Sequence, residues 1–251
     1  MSKKIIEISN LTKKYFKGTY DFNFLKDYIK YAFNKNEKNF HNNYFNVLDD
    51  INLSIDEAEK VAFLGRNGAG KSTLCKIISK ITEPDVGQIK IRGNTVPMLN
   101  LFYGLELECT CLENIHFLCS VYGLKHNEIK EKLDDIVEFS ELKNYLNMPL
   151  KKFSSGMLTR LVFACLVHTK GDIFIADEIL AISDNLFKEK CINKLISLNK
   201  KGKTLICISH EKEIITSLCD SAFVFGENGK ITKKLPINEA YNIYDNIKND
   251  N

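Results

Sequence analysis

The fold of this chain is decided by the stretch Gly65-Arg66-Asn67-Gly68-Ala69-Gly70-Lys71-Ser72-Thr73. The stretch has the form G-x-x-x-x-G-K-[ST]; the apolar run 61–64 precedes it and a helical pattern follows it. Glycines allow successive backbone N–H groups to turn toward phosphate oxygens, because a Cβ would obstruct that path. The following helix offers its positive N-terminal end to the same anion. The stretch therefore predicts a strand, a loop and a helix that bind a nucleoside triphosphate, rather than a glycine turn before an ordinary helix.

Two side chains of this loop suit particular parts of such a ligand. Lys71 supplies a positive charge for the β- and γ-phosphates, and Ser72 supplies a hydroxyl for Mg²⁺. We therefore predict that residues 65–73 bind the nucleotide and that Ser72 is also a metal ligand.

Composition limits the possible classes of protein. A chain of 251 residues that is 44% hydrophobic can bury a sizeable core, and its net charge of +3 gives no sign of a nucleic-acid partner. The cysteines lack the paired spacing of a metal site, which favours reduced thiols. No signal peptide or membrane-spanning apolar run is evident, so we expect a soluble chain whose membrane role would need a partner.

Short apolar runs alternate with helical patterns along the chain, which favours an α/β fold with a largely parallel sheet. Strands are predicted at 5–8, within 47–55, and at 61–64, 88–91, 173–176 and 204–208, with a hairpin-like pair at 222–225 and 229–232. Helices are predicted at 111–122, 127–139, 155–167 and 237–247. We expect one domain over 1–251, with a helical subdomain inserted at about 105–168 and an antiparallel β subdomain.

An aromatic-rich insertion occupies residues 17–43. Its segment 21–33 has the spacing of an amphipathic helix. Such a helix could fold onto its own domain, or it could form a contact surface for a partner or for the membrane interface.

A second group of polar residues follows the apolar runs that come after the loop. Asp177 and Glu178 stand at the carboxyl end of the run 173–176, which is where ligands bind in open α/β sheets. Asp177 can hold Mg²⁺, and Glu178 can orient, or accept a proton from, the water that attacks the γ-phosphate. His210 follows the next run and could bond the γ-phosphate, provided that its strand lies beside the strand of Asp177.

Residues 153–157, Phe-Ser-Ser-Gly-Met, resemble the signature motif of ABC-transporter ATPases, and residues 177–184 resemble the acidic motif and D-loop of that family. The resemblance extends from about residue 5 to 231 and implies the fold of a P-loop ABC ATPase. It implies a head-to-tail homodimer or pseudo-dimer with ATP and Mg²⁺ between one subunit's loop and the other's signature helix. The residues it adds to the nucleotide site are Tyr15 (stacked on adenine, with Tyr44 and Phe45 as rivals), Ser154, Ser155, Gly156 and Asp184.

One departure from the family pattern concerns the loop before the helical subdomain. The family carries a Gln there, whereas this sequence has none between residues 100 and 114. Glu106 is the side chain in that region suited to a metal, although a carboxylate cannot donate as an amide does. Glu106 is either a substitute ligand or a solvated loop acid.

The S-S-G-M signature and the segment 115–123 resemble capsular polysaccharide exporters, whereas the insertion resembles O-antigen exporters. The resemblance therefore implies an ATPase subunit on the cytoplasmic face of the cell membrane. Its partners would be an integral membrane permease and a polysaccharide (capsule type first, O-antigen or teichoic acid as alternatives), with no nucleic acid. A soluble ABC ATPase of DNA repair or translation and a catalytically silent ATP-binding module remain as alternatives. The absence of an N-K-x-D motif argues against a GTPase.

Overall fold

The computed structural model describes residues 3–16, 44–99, 102, 104–177 and 184–249. The strands are β1 (Lys4–Phe16), β2 (Tyr44–Asp56), β3 (Lys60–Gly65), β4 (Val86–Ile91), β5 (Thr95–Met98), β6 (Ile173–Asp177), β7 (Thr204–Ile208), β8 (Ser221–Phe225) and β9 (Leu235–Pro236). The α-helices are α1 (Lys71–Ile78), α2 (Cys111–Val121), α3 (His126–Ser140), α4 (Ser155–Val167), α5 (Asn185–Lys200), α6 (Lys212–Leu218) and α7 (Ile237–Asn249).

The main sheet has the strand order β5-β6-β7-β3-β8-β9. Adjacent strands of this sheet are parallel from β5 through to β8, and β9 is antiparallel to β8. Side chains alternate across β3: Val61 and Phe63 enter one hydrophobic core, whereas Ala62 and Leu64 enter the other. Both faces of the sheet are therefore covered, which explains the continuous apolar runs of its strands and confirms the expected largely parallel sheet.

A three-stranded antiparallel sheet in the order β2-β1-β4 covers one face. Its core residues, such as Ile6, Leu11 and Ile55, pack in the same cluster as Phe63 of β3 and Leu74 of α1. This sheet is the expected antiparallel β subdomain. β1 is longer than the predicted strand because it continues to Phe16 and keeps its pairing with β2 to that end.

Helices α2, α3 and α4 pack against one another. Along the sequence they lie between the phosphate-binding motif and the acidic motif. Buried residues of all three, including Ile115, Ile136 and Phe163, belong to one cluster with residues of the main sheet. The helices predicted in 111–122, 127–139 and 155–167 are thereby confirmed. Among the described residues, no helix is both long and apolar enough to cross a bilayer.

The predicted hairpin-like pair of 222–225 with 229–232 is confirmed only in part, because the two segments meet in the antiparallel sense but 229–232 forms no strand. Glu227–Gly229 forms a 3-10 turn, and Ile231 makes only an isolated bridge with Phe225. The N–H of Thr232 donates to the carbonyl oxygen of Val224 at 2.9 Å, but the N–H of Val224 bonds the hydroxyl of Thr232 at 3.0 Å, so the pairing does not extend into a ladder. Further along the chain, β9 supplies the antiparallel partner of β8.

Four elements were not predicted from the sequence, namely β5, β9, α5 and α6. The amphipathic helix predicted at 21–33 lies outside the described residues. All eight cysteines are free thiols.

Candidate nucleotide-binding site

The loop between β3 and α1 curves around the ammonium group of Lys71. Lys71 Nζ donates to the carbonyl oxygens of Gly65 at 2.7 Å and Arg66 at 2.9 Å. Lys71 is only 7% exposed, so its charge is held inside the loop. Helix α1 begins after Gly70, which has no side chain to cap it, and Ser72 is exposed in the first turn. An uncapped helix N-terminus beside an ammonium is a suitable cradle for phosphate oxygens.

Two glycines give the loop its shape. Gly68 and Gly70 have φ angles of +81° and +98°, which are unfavourable for residues with a Cβ. A Cβ on Gly70 would lie 2.7 Å from the carbonyl oxygen of Val47 and 2.8 Å from Cδ2 of Leu48. The loop therefore packs closely against β2, and the antiparallel sheet supports it from that side.

Parallel strands bring the predicted catalytic and metal-binding segments to the same edge of the sheet. Strand β7 lies between β3 and β6, and Asp177 at the end of β6 is in register with Ile208 at the end of β7. His210 follows β7 by two residues and is exposed. The strand that leads to His210 therefore lies beside the strand of Asp177, which was the condition for its role. Glu178 lies outside the described residues.

The pKa of Cys75, a buried thiol in α1, is shifted by its surroundings. Burial raises the pKa of Cys75 well above its usual value, and the negative charge of Asp177 raises it further. The ammonium of Lys71 acts in the opposite direction. Cys75 is therefore a neutral thiol on which both Lys71 and Asp177 act.

The aromatic candidates for stacking on a base lie together at one end of the β1–β2 ladder. Tyr15 is directly opposite Phe45, and Phe16 is opposite Tyr44. Directly opposed residues share a face of the sheet, so Tyr15 and Phe45 form one exposed pair. Tyr44 instead packs edge-on against Phe16, with ring centroids 5.4 Å apart. Phe45 lies two residues before Val47, which packs against Gly70 of the phosphate-binding loop, so this pair is close to the loop along β2. Stacking of Tyr15 on adenine stays a prediction.

The segment that resembles the signature motif forms the start of α4. Ser154 caps this helix, since its hydroxyl accepts a hydrogen bond from the N–H of Met157 at 3.2 Å. Ser154, Ser155 and Gly156 are all exposed. The positive end of α4 is therefore presented at the surface, where it could meet an anion.

Asp184 bonds groups of its own subunit. One carboxylate oxygen accepts the N–H groups of Leu186 at 3.0 Å and Phe187 at 3.1 Å, which caps α5. The other oxygen accepts a hydrogen bond from Arg160. The N–H of Phe187 and the guanidinium of Arg160 hold the pKa of Asp184 below its usual value. A contact of Asp184 with the nucleotide stays a prediction.

The loop that carries Glu106 is organised by Asn114, a buried residue of α2. The Asn114 amide donates to the carbonyl oxygens of Glu106 at 2.9 Å, Cys109 at 3.3 Å and Thr110 at 2.9 Å. Its oxygen accepts the N–H of Glu106 at 2.9 Å. Glu106 itself is exposed and lines a cavity of about 320 Å³ with Leu105 and other residues of this region. Whether its carboxylate binds a metal stays a prediction.

Three residues that organise the site were not singled out from the sequence. They are Asn114, which holds the loop of Glu106, Arg160, which bonds Asp184, and Val47, which packs against Gly70. Asn114 gave a usable signal, since a polar residue stands on the apolar face of α2 beside Cys111 and Ile115. Arg160 and Val47 gave none, because their partners are remote in sequence.

The donor set fits a nucleotide with Mg²⁺. Lys71 offers an ammonium at the start of an uncapped helix, Ser72 offers an exposed hydroxyl, and Asp177 offers a carboxylate at the same sheet edge. Oxygen ligands of this kind are the ones that Mg²⁺ prefers. Among the described residues, no group of three or more His, Cys, Asp or Glu side chains could hold a metal alone.

Comparison with known proteins extends these observations. A family model described as ABC transporter matches residues 48–181. The ABC transporter protein AbcA of Aeromonas salmonicida is 38% identical over 71% of this chain and 58% of its own length. The teichoic acids export ATP-binding protein TagH of Listeria innocua is 36% identical over 80% of this chain and 59% of its own length. The O-antigen export system ATP-binding protein RfbB of Klebsiella pneumoniae is 34% identical over 90% of this chain and 92% of its own length.

The chain therefore spans less than two thirds of AbcA and TagH and nearly all of RfbB. Solved structures show the same fold. An ATP-binding subunit of an ABC transporter matches with a TM-score of 0.74 at 23% identity, over 97% of this chain and 94% of that one. The ATP-binding cassette MJ0796, dimeric and bound to ADP and Pi, matches with a TM-score of 0.72 at 21% identity, over 92% and 98%.

Proposed function

Because the chain belongs to the ABC transporter family, we propose that it is the ATP-hydrolysing subunit of an ABC exporter of a cell-surface polysaccharide. The observation that carries this proposal is the adjacency of β3, β7 and β6. These strands bring Lys71, Asp177 and the segment of His210 to one edge of the sheet, where a triphosphate can contact all of them. A module that only binds nucleotide would need the loop and the helix but neither of the other two segments.

Each residue has a distinct role in this proposal. Lys71 and the N–H groups of the loop bind the β- and γ-phosphates, while Ser72 and Asp177 hold Mg²⁺, which neutralises phosphate charge. Glu178 orients the attacking water and accepts its proton, so that the water is a better nucleophile at phosphorus. His210 bonds the γ-phosphate from the neighbouring strand.

A second copy of the chain completes each site. The start of α4 is exposed on the surface and presents a serine hydroxyl, N–H groups and a positive helix end. In a head-to-tail dimer these groups contact the γ-phosphate bound to the partner's loop. Loss of that phosphate removes a ligand shared by both subunits, so hydrolysis is coupled to opening of the dimer.

The membrane partner is an integral permease, which places the chain at the cytoplasmic face of the cell membrane. Large apolar side chains are exposed near the loop of Glu106, namely Phe102, Phe117 and Val121 with exposed fractions of 52%, 51% and 65%. Phe117 and Val121 are four residues apart on α2 and so lie on one face. Beside them lies the cavity of about 320 Å³, which suits a short segment of a permease.

The substrate is a polysaccharide destined for the cell surface. TagH and RfbB are named for export of teichoic acids and O-antigen, so they support these alternatives as much as the capsule type. The signature sequence Phe-Ser-Ser-Gly-Met is the feature that favours capsule. The relatives therefore support export of a cell-surface polysaccharide, and the signature sequence supports only the choice of capsule among such polysaccharides.

Replacing Glu178 by Gln tests the catalytic part of the proposal. The amide keeps the size of the side chain but cannot accept the proton, so we expect ATP to bind and turnover to fall by at least about a hundredfold. Glu83→Gln is the matched control, because Glu83 is an exposed acid that belongs to none of the motifs assigned to the nucleotide site. ATP turnover and nucleotide affinity are measured on the purified proteins, and turnover of Glu178→Gln at the parental rate would refute the role of Glu178.

The export part is tested in cells whose own copy of the gene is replaced by each variant. We expect Glu178→Gln to abolish surface polysaccharide and Glu83→Gln to preserve it, as measured by labelling of surface glycans. The tagged chain is also purified from gently solubilised membranes. Intact surface glycan with the inactive variant, or recovery of nucleic acid without a membrane protein, would overturn the transporter proposal in favour of a soluble ABC ATPase.

A further inference from the structure

Arg160 joins the helix that begins with the signature segment to two other helices. It lies four residues after Gly156 on α4, with 23% of its side chain exposed. Its Nη1 bonds the carboxylate of Glu141 and its Nη2 bonds the carboxylate of Asp184. The guanidinium also stacks over the ring of Phe187, with 4.7 Å from Cζ to the ring centroid. One side chain of α4 therefore contacts partners at two other helix ends, the end of α3 and the start of α5.

Both carboxylates are fixed by further contacts. Glu141 ends α3 in a left-handed conformation, with φ of +61°, and its second oxygen bonds Lys190 of α5 at 3.0 Å. Asp184 uses its second oxygen to cap α5. A guanidinium is a planar fork of donors, so it holds two fixed carboxylates at a defined angle, which the ammonium of a lysine does not do.

We propose that Arg160 is a positioning residue that makes the start of α4 and the start of α5, with its cap Asp184, a single rigid surface for the partner subunit. This inference rests on the proposed function, because the partner's triphosphate is what that surface meets.

The role differs from the one that motif resemblance assigns to Asp184. In the proposed arrangement, the Asp184 carboxylate acts through Arg160 and the cap of α5 rather than through the nucleotide. Leu186 beside it is 82% exposed, so the same surface carries an apolar side chain suited to contact with a second copy. Loss of the link would leave nucleotide binding by the loop intact and would weaken the closing of the dimer.

The test uses the full chain with Glu178→Gln, so that bound ATP is not consumed. Arg160→Met removes the link, and Asp184→Asn removes only its charge, because Asn caps a helix about as well as Asp. We expect each variant to raise the ATP concentration for half-maximal dimerisation about tenfold, with the double variant no worse than either single one, since the two residues act as a pair. Dimerisation is followed by light scattering during size-exclusion chromatography.

Two further measurements separate positioning from simple destabilisation. The affinity of the monomer for a fluorescent ATP analogue should be the same in all variants, because the loop of each subunit is intact. Glu83→Gln should dimerise like the parent, and thermal unfolding checks that Arg160→Met is folded. Parental dimerisation by Asp184→Asn and Arg160→Met, or independent effects that multiply in the double variant, would overturn the inference alone. A parent that forms no ATP-dependent dimer would overturn the proposed head-to-tail arrangement and this inference together.

Discussion

Alanine at Gly70 measures how tightly the phosphate-binding loop packs against β2. Gly70 has φ of +98°, and an L-residue in this left-handed region loses roughly 1–2 kcal/mol. The added methyl group would also lie 2.7 Å from the carbonyl oxygen of Val47 and 2.8 Å from Cδ2 of Leu48. Overpacking of this kind destabilises proteins by about 1–3 kcal/mol. Together the two effects lower the free energy of unfolding by about 2–5 kcal/mol.

Gly68 is the matched control in the same loop. Its φ of +81° imposes the same backbone penalty, but no described residue places an atom within 4 Å of an added Cβ. Gly68→Ala should therefore lower the free energy of unfolding by only about 1–2 kcal/mol. The difference between the two variants isolates the collision with β2 from the cost of the backbone conformation.

Urea unfolding without nucleotide, followed by circular dichroism, measures both variants. For a chain of this size each 1 kcal/mol corresponds to about 2–4 °C in Tm, so thermal unfolding gives a second estimate. Gly70→Ala should be the less stable variant by at least about 1 kcal/mol. Equal losses in the two variants would refute the packing argument, and no loss in either would refute the backbone argument as well.

Two further predictions concern elements that support the site. Thr110 and Glu113 form a reciprocal cap at the start of α2, with the Glu113 N–H 3.3 Å from the threonine hydroxyl. Thr110→Ala should lower the free energy of unfolding by about 1 kcal/mol in urea titrations; parental stability would contradict this. Partial burial disfavours the charge on Asp172, but bonds from Asn94 and Lys203 outweigh it and lower its pKa. Asp172→Asn should lower the free energy of unfolding by about 1 kcal/mol at pH 7, after discounting for the exposure of the side chain. This difference between the variant and the parent should vanish as pH falls below the lowered pKa, because the carboxylate stabilises the fold only in its charged form. A difference in stability that does not change with pH would refute the argument.

The parts of the fold that were predictable are those in which local pattern and burial agree. Strands such as β7, over Thr204–Ile208, are buried on both faces and read as uninterrupted apolar runs. Helix α4 begins directly after its cap Ser154, and a serine before a helical pattern is a signal that the sequence itself shows. The phosphate-binding loop was predictable because its function restricts the residue types at fixed spacing.

Two of the missed elements, β5 and α6, lack one of these local signals. Strand β5 is four residues long and contains Pro97, which cannot donate to a ladder, and it lies at the edge of the sheet. Helix α6 has only seven residues. Helix α5 did carry a signal, since Asp184 caps it and Phe187, Cys191 and Leu195 recur on its buried face. Asp184 did not indicate a helix start because it also fits the D-loop motif, which gives the same residue a functional interpretation.

Asp184 shows why motif residues can be located from sequence while the partners of their side chains cannot. A carboxylate accepts hydrogen bonds from any donor within reach, and the donor nearest in space can be remote in sequence. Here that donor is Arg160, 24 positions earlier on a different helix, so neither residue indicates the other. The resemblance assigned Asp184 to the nucleotide, whereas its oxygens bond a guanidinium and a helix end. If Asp184 also met the nucleotide of a partner subunit, it would have to exchange one of these bonds for that contact, so charge removal at Asp184 should then alter nucleotide affinity within the dimer and not only dimer formation.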